Sequence, residues 1–430
     1  MEHIRLGAIL LEGGIVDEAG LERCLAIQAL TGGSRPLGQI LVEQGLITAP
    51  ELERILDLQR TRVAARNADV ADTDVGCASL LAAAQAQNAT EIVVSEGRPV
   101  RMRVACEWRR LTNEVLRGPE VWEFVRELMG PEVLEELAER QFVVHAWNRG
   151  ALGRGSATAF RQFDGVAVRV TFAAATAPTA EAAGLPSAFL ETLRAGKGLI
   201  LVVGERGVGR ADTLAPLVQL VARDPDHYVV VVDDEPMPLP TEGSLVVRRR
   251  YGISPQARAA TLRNVVREDP DTLVVADVGT PETFELALRA AEGGRLVIAY
   301  LDASSASAAL VRALNFYPGY DLPRVRATLA AVLRAVFVRH LLPDVRREGT
   351  VAATELLLVD DAVREVVRGG ELADLGLLIR ADGSRCGHSL DRNMLELLVA
   401  GRARLEDVFA RAEEKAWLLE RTKELQIDPR

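Results

Sequence analysis

The sequence predicts an α/β protein in which a mostly parallel sheet flanked by helices follows a helical repeat and a smaller α+β module. Three observations predict it. From Gly198 onward, the short β-rich runs LILVV (199–203), YVVVVDD (228–234), DTLVVAD (271–277) and GRLVIAY (294–300) alternate with amphipathic stretches, the pattern of strands covered on both faces by helices. Before them, GRGSATAFRQFDGVAVRVTF (153–172) alternates polar and apolar residues about Asp164 and Gly165, which reads as a hairpin. At the N-terminus, RLGAILLEGGIVDEAGLERCLAIQ (5–28) aligns without a gap on PLGQILVEQGLITAPELERILDLQ (36–59) at a period of 31 residues.

Length and composition bound the rest. A chain of 430 residues accommodates about three domains at roughly 150 residues each. Its net charge of -10 argues against a general nucleic-acid binder. Cys24, Cys77, Cys106 and Cys386 are scattered singly, so neither a zinc pair nor a disulfide framework is expected, and reduced cytoplasmic thiols are. MEHIRLGAILLEGG has no basic region before a long apolar core, and no apolar run is long enough to cross a bilayer. A cytoplasmic protein follows as the expectation, one that reaches a membrane only from its inner face.

Each copy of the repeat (residues 1–62) reads as a short helix, a glycine turn and a second helix. On the second helix Leu21, Leu25 and Gln28, or Leu52, Leu56 and Gln59, share one face. Thr48 and Glu51 have the spacing of a capping box. Residues 63–76 are polar and rich in Ala and Asp, as a linker is. From 77 to 180 come a helix (CASLLAAAQAQ), two strands about Gly97, two helices opened by Pro119 and Pro131, and the hairpin, an α+β order. The core is expected over 181–345, with a helical region over 346–430.

Within the core, GERGVGRAD (204–212) joins an apolar strand to a helical stretch, the place of a phosphate-binding loop. Such a loop reads GxxxxGK followed by Ser or Thr: its amides cradle phosphate, its Lys meets the β/γ oxygens and its hydroxyl holds Mg²⁺. Gly204, Gly207 and Gly209 keep the cradle, while Arg210 stands for the Lys and Ala211 for the hydroxyl. A planar guanidinium is not interchangeable with an ammonium fitted inside the loop.

These segments resemble the type II secretion and type IV pilus ATPases, the family of GspE and PilT. SLVVRRRYGISPQARAATLRNVVREDPD (244–271) fits the segment that ends in the family's REDPD, and AVREVVRGG (362–370) resembles the AIRNLIREG motif of retraction motors. SRCGHSLDRNMLELL (384–398) resembles the SLGMQTLD segment. The resemblance implies a RecA-like P-loop NTPase core and a PAS-like module at 77–180. In that module GRGSATAFRQ is similar to GRFRVNAFRQ, so Arg154, Arg161 and Arg169 become candidates to reach the nucleotide.

The family's boxes are altered. The Asp box TIEDPIE reads VVDDEPM (231–237): Asp233 and Asp234 survive, Met237 takes the place of the last Glu, and Glu235 lies two residues short. Walker B, ILVGEMRD, reads LVVADVGT (273–280), with Asp277 drawing the acid back by a methylene. Such a retreat costs on the order of 100-fold where in-line attack needs ångström placement. The His box reads GGRLVIAYLDA (293–303), with Arg295 and Asp302 in place of both histidines. The implied function is a pseudo-ATPase paralogue with weak ATP affinity and a doubtful Mg²⁺ site. It would join homo- or hetero-hexamers of PilT/GspE-like subunits, or dock on the inner-membrane platform protein.

Two other readings stay open. One is an active motor with a rearranged site built on Arg210, Asp233, Asp234, Glu235 and Asp277. The other is a cyclic di-GMP sensor, because the repeat resembles the N-terminal domain of the assembly ATPases and their MshE-like binders. In those binders, paired RLGxxL and LxxxLxxQ motifs hold the dinucleotide, which implicates Arg5, Leu6, Gly7, Gln28, Leu37, Gly38 and Gln59. The second copy departs from that pattern with Pro36 where Arg is expected, and a helical docking domain packed by its own leucines is the alternative.

Overall fold

A computed structural model describes residues 10, 15–16, 20–21, 23–24, 27, 36–56, 76–163, 165–174, 176–205, 209–240, 243–252, 254–381 and 385–425. In the second repeat copy, helix α1 (Leu37–Glu43) turns at Gly45, whose φ of +69° suits glycine. A helix over 49–56 follows. Its start is the capping box: the Thr48 amide donates to Glu51 Oε2 at 2.7 Å and the Glu51 amide to Thr48 Oγ1 at 3.4 Å. Leu10, Leu21, Ile40, Leu41 and Ile55 bury into one small cluster, as leucine faces of two packed copies require. Leu37 is half-buried and Gly38 buried, whereas Arg5, Leu6, Gly7, Gln28 and Gln59 lie outside the described residues.

The next unit is an antiparallel sheet in the order β3-β2-β1-β6-β5-β4. Its strands are β1 (Glu91–Ser95), β2 (Pro99–Val104), β3 (Glu107–Val115), β4 (Phe142–Asn148), β5 (Arg154–Gln162) and β6 (Gly165–Phe172). Helices α2 (Cys77–Ala86), α3 (Gly118–Met129) and α4 (Val133–Glu139) cover the face on which Ile92, Val94, Ala157, Ala159, Val168 and Val170 are buried. Pro119 sits in the first turn of α3, where a missing N–H costs nothing. The predicted β5–β6 hairpin forms, but Gln162 pairs with Gly165, so Gly165 opens β6 and the turn falls one residue earlier than the expected Asp164-Gly165.

The second sheet runs β14-β13-β12-β7-β11-β10-β8-β9. Strands β7 (Gly198–Gly204), β8 (Tyr228–Val232), β9 (Leu245–Arg249), β10 (Thr272–Val275), β11 (Leu296–Asp302) and β12 (Leu333–Pro343) are mutually parallel. Helices α5 (Ser187–Leu193), α6 (Arg210–Val221), α7 (Pro255–Arg267), α8 (Pro281–Glu292), α9 (Ala306–Leu314) and α10 (Leu322–Val332) accompany them. All seven residues of β7 are buried, because this strand lies inside the sheet between two helix layers. Its loop opens at the carboxyl edge of the sheet, where ligands of such folds bind.

The region from 346 onward is not helical throughout. TVAATELLL forms β13 (Thr350–Leu358), which pairs antiparallel with β12 from Pro343↔Thr350 to Ala335↔Leu358. An apolar run that buries both faces is satisfied by joining the sheet. The helices follow: α11 (Asp361–Gly369), α12 (Asp374–Arg380), then β14 (Gly387–His388), α13 (Leu390–Val399), α14 (Leu405–Arg411) and α15 (Lys415–Glu424). Among the described residues no helix is long and apolar enough to cross a membrane.

Candidate functional site

The carboxyl ends of β7, β8, β10 and β11 bring the altered boxes together. Gly204 ends β7 and its carbonyl accepts the Tyr300 hydroxyl at 3.0 Å. Gly207 falls outside the described residues. Gly209, at φ +73°, is the N-cap of α6, a left-handed position that glycine adopts without strain. The next residue, Arg210, turns into the cluster rather than out of it. Its Nη2 lies 3.2 Å from Asp233 Oδ1 and 3.1 Å from Glu235 Oε2, and its guanidinium stands 5.8 Å from the Tyr300 ring centre.

Asp233 is 1 % exposed. Its Oδ1 also accepts the Glu235 amide at 3.0 Å, while its Oδ2 has no hydrogen-bond partner among the described residues. Burial pushes its carboxyl up to about 6 against the pull of Arg210. Burial opposes the charge on Arg210 as well, but Asp233 and Glu235 outweigh it and raise its pKa. The two directions pull apart: burial works against the Asp233 charge, yet a carboxyl at about 6 is still mostly ionised at neutral pH and Arg210 stays charged, so the pair is ionic there.

The other acids are also engaged. Asp277 Oδ2 lies 2.5 Å from Arg258 Nη1, and its Oδ1 accepts the Gly279 amide at 2.8 Å. Arg258 is carried by α7 and stands 5.2 Å from the centre of the Tyr251 ring, whose hydroxyl donates to the Asp277 carbonyl at 2.6 Å. Asp234 Oδ1 accepts the Tyr251 and Gly252 amides, each at 3.0 Å, so it shapes the turn after β9.

Asp212, in the first turn of α6, is held beside Gly209: a Cβ there would meet its Oδ2 at 2.6 Å and Arg339 Nη1 at 3.1 Å. Burial raises the Asp212 carboxyl while Arg339 pulls it down. The buried Arg339 also donates to the Gly209 carbonyl at 3.3 Å.

Sequence reading named Asp233, Asp234, Glu235, Asp277 and Arg210, and the sheet brings these to one edge. It missed Asp212, Arg258, Tyr300 and Arg339, which come from four different elements. Asp212 and Tyr300 sit inside the loop and His-box segments and Arg258 between the Asp box and Walker B, whereas Arg339, 36 residues past the His box, carried no signal. Of the His-box substitutes, Arg295 pairs with Asp269 at the opposite end of β11, and the Asp302 carbonyl accepts Arg312 at 2.7 Å. The three arginines of the N-terminal sheet are used within or on it. Arg169 pairs with the buried Glu91, Arg154 donates to the Ala174 carbonyl at 3.2 Å, and Arg161 is exposed on β5.

The sequence model of the type II/IV secretion system protein family matches residues 152–425, which include all four boxes. This chain belongs to that family. Among its relatives, the uncharacterized protein YggR of Escherichia coli is 32% identical over 68% of this chain and 89% of its own. The type IV pilus retraction ATPase PilT of Pseudomonas aeruginosa is 27% identical over 77% of this chain and 97% of its own. A crystal structure of the retraction motor PilT with bound ADP superposes with a TM-score of 0.67 at 26% identity, covering 81% of this chain and all of that one. The secretion-family protein therefore has the α/β core of a RecA-like P-loop ATPase.

The ATPase fold implies Mg²⁺, and the donor set tests the fit. Ala211 has no hydroxyl, Asp234 is committed to two amides, and Asp233, Glu235 and Asp277 are each paired with an arginine. These residues do not fit a divalent ion: Asp233, Glu235 and Asp277 would each have to share their charge with an arginine already in place, and no hydroxyl stands at position 211.

Proposed function

We propose that this secretion-family protein is a non-hydrolysing or barely hydrolysing paralogue that acts within or upon a type IV pilus or type II secretion motor. It would do so by entering hexamers with PilT/GspE-like subunits or by occupying the motor's docking site on the inner-membrane platform protein.

One observation carries the reading: the acids at the Asp box and Walker B positions are neutralised by arginines of the same chain, Arg210 on Asp233 and Glu235, and Arg258 on Asp277. Phosphoryl transfer relies almost entirely on placed charge, that is, metal, water-positioning acid and phosphate-facing cation. Here the cation that would face phosphate and the acids that would place metal and water are spent on one another.

The test is steady-state phosphate release by the assembled full chain with Mg²⁺ and ATP. Release indistinguishable from a protein-free control is expected. Brisk turnover abolished by Asp277→Ala would establish an active motor with a rearranged site and overturn the proposal.

A further inference from the structure

The outermost strand of the core sheet leaves one edge open. β9 pairs with β8 from Tyr228↔Leu245 to Val232↔Arg249, and among the described residues no strand adjoins its other side. The Arg249 carbonyl accepts the Asp233 amide at 3.1 Å, so this residue turns its backbone toward β8. Neighbours along a strand turn theirs to opposite sides. The amides and carbonyls of Val246 and Arg248 therefore line the outer edge, a template for a further strand.

The side chains along that edge are cationic, in a chain whose net charge is -10. Arg248, Arg249 and Arg250 are consecutive and exposed, and Arg263 and Arg267 are exposed on α7. Between strand and helix, a cleft of about 320 Å³ is lined by Arg249, Arg250, Thr261, Asn264, Val265 and Glu268. Its one carboxylate is already engaged, with Glu268 Oε1 lying 2.8 Å from Arg249 Nη2.

Charge selects the occupant. A second copy pairing edge to edge would set three arginines against three, and like charges directly opposite destabilise a strand pair. The arginines thus guard the edge against its own kind, while the same charge admits an acidic strand. An extended segment with Asp or Glu at alternate positions would set carboxylates on guanidinium groups as its main chain bonds to the edge, which is recognition by strand addition. Leu245, 63% exposed at the start of β9, offers that segment an apolar contact.

We infer that the outer edge of β9 docks an acidic, extended segment of a partner protein. The inference holds whether or not the chain hydrolyses ATP. Glu268 then competes with the partner for Arg249.

The experiment is fluorescence anisotropy of a labelled peptide repeating Glu-Thr-Glu-Val on the full chain, beside the same peptide methylated on its backbone amides and an oligothymidylate. The plain peptide is expected to bind. The methylated one, equally charged but unable to donate to the edge carbonyls, should bind more weakly by on the order of tenfold. Arg250→Ala, at an exposed position, should weaken the plain peptide roughly fivefold, and Glu268→Gln should tighten it by a similar factor, the scale of one exposed ion pair. Equal binding of the methylated peptide, tighter binding of the oligothymidylate, affinity unmoved by either substitution, weakening in Glu268→Gln, or no peptide binding at all would each overturn the inference.

Discussion

Arg347 Nη1 lies 2.7 Å from Glu107 Oε1, which ties the β12–β13 turn of the core to the β2–β3 hairpin of the N-terminal sheet. The same guanidinium reaches Asp407 at 3.2 Å and Glu406 on α14, and its carbonyl accepts Arg109 at 3.0 Å. Farther along α14, Arg411 pairs with Glu205 of the phosphate loop at 2.7 Å. One seven-residue helix thus touches both the loop and the junction between sheets.

Removing this hub should destabilise the chain more than a surface pair would. Arg347 is mostly buried and serves three carboxylates, so Arg347→Ala should cost about 2–3 kcal/mol, between exposed and fully buried pairs. Its backbone has φ +58°, which glycine adopts freely. Arg347→Gly should therefore lose about 0.5–1 kcal/mol less than Arg347→Ala. Urea unfolding measures both, and equal losses would contradict the backbone account.

Glu355 supplies a pH dependence. It is buried on β13 and accepts the Ala306 amide at 2.7 Å. Burial raises its carboxyl from 4.5 to about 7, with Glu413 adding to the rise. Between those values the native state holds more protons than the unfolded one, so this group's contribution to stability is lost as pH rises through the interval. Glu355→Gln keeps the acceptor and sheds the charge. It should exceed the wild type by on the order of 3 kcal/mol at pH about 8 and show no advantage at pH about 4. Thermal melts across that range decide, and a constant difference would refute the assignment.

Asp277 should behave as a structural partner of Arg258. Asp277→Asn is expected to leave phosphate release at background and to lower stability by about 1–2 kcal/mol, since Arg258 loses a charge-assisted bond at a partly buried site. Parallel turnover and denaturation measurements check both arms. A fall in turnover from a measurable wild-type level would assign the acid to chemistry.

Gly209 leaves no room for a side chain. Alanine there meets the Asp212 carboxylate at 2.6 Å and must keep φ at +73°, so Gly209→Ala should cost about 1–3 kcal/mol. Adding Asp212→Asn should not recover that loss, because the backbone term remains and the amide is as large as the acid. Denaturant midpoints of the single and double variants read this.

Much of the fold was legible. The apolar runs that became β7, β8, β10 and β11 bury both faces, so their composition alone declares parallel strands between helices. The β5–β6 hairpin and the Thr48–Glu51 cap rest on contacts between near neighbours in sequence, which local pattern encodes, though the turn falls one residue before the expected place. β13 was not legible as a strand, because its residues become one only against β12.

The same division runs through the site. Sequence by itself determined that Gly204, Gly207 and Gly209 follow an apolar run, and that Arg210, Ala211, Asp277 and Asp302 stand where the family resemblance expects Lys, a hydroxyl, Glu and His. Only the tertiary structure decided what those replacements touch. Arg210 meets Asp233 from 23 positions away and Arg258 meets Asp277 from 19, while Arg339 reaches Gly209 across 130. Charge pairing depends on distance in space, and the order of parallel strands, which no single strand encodes, sets that distance.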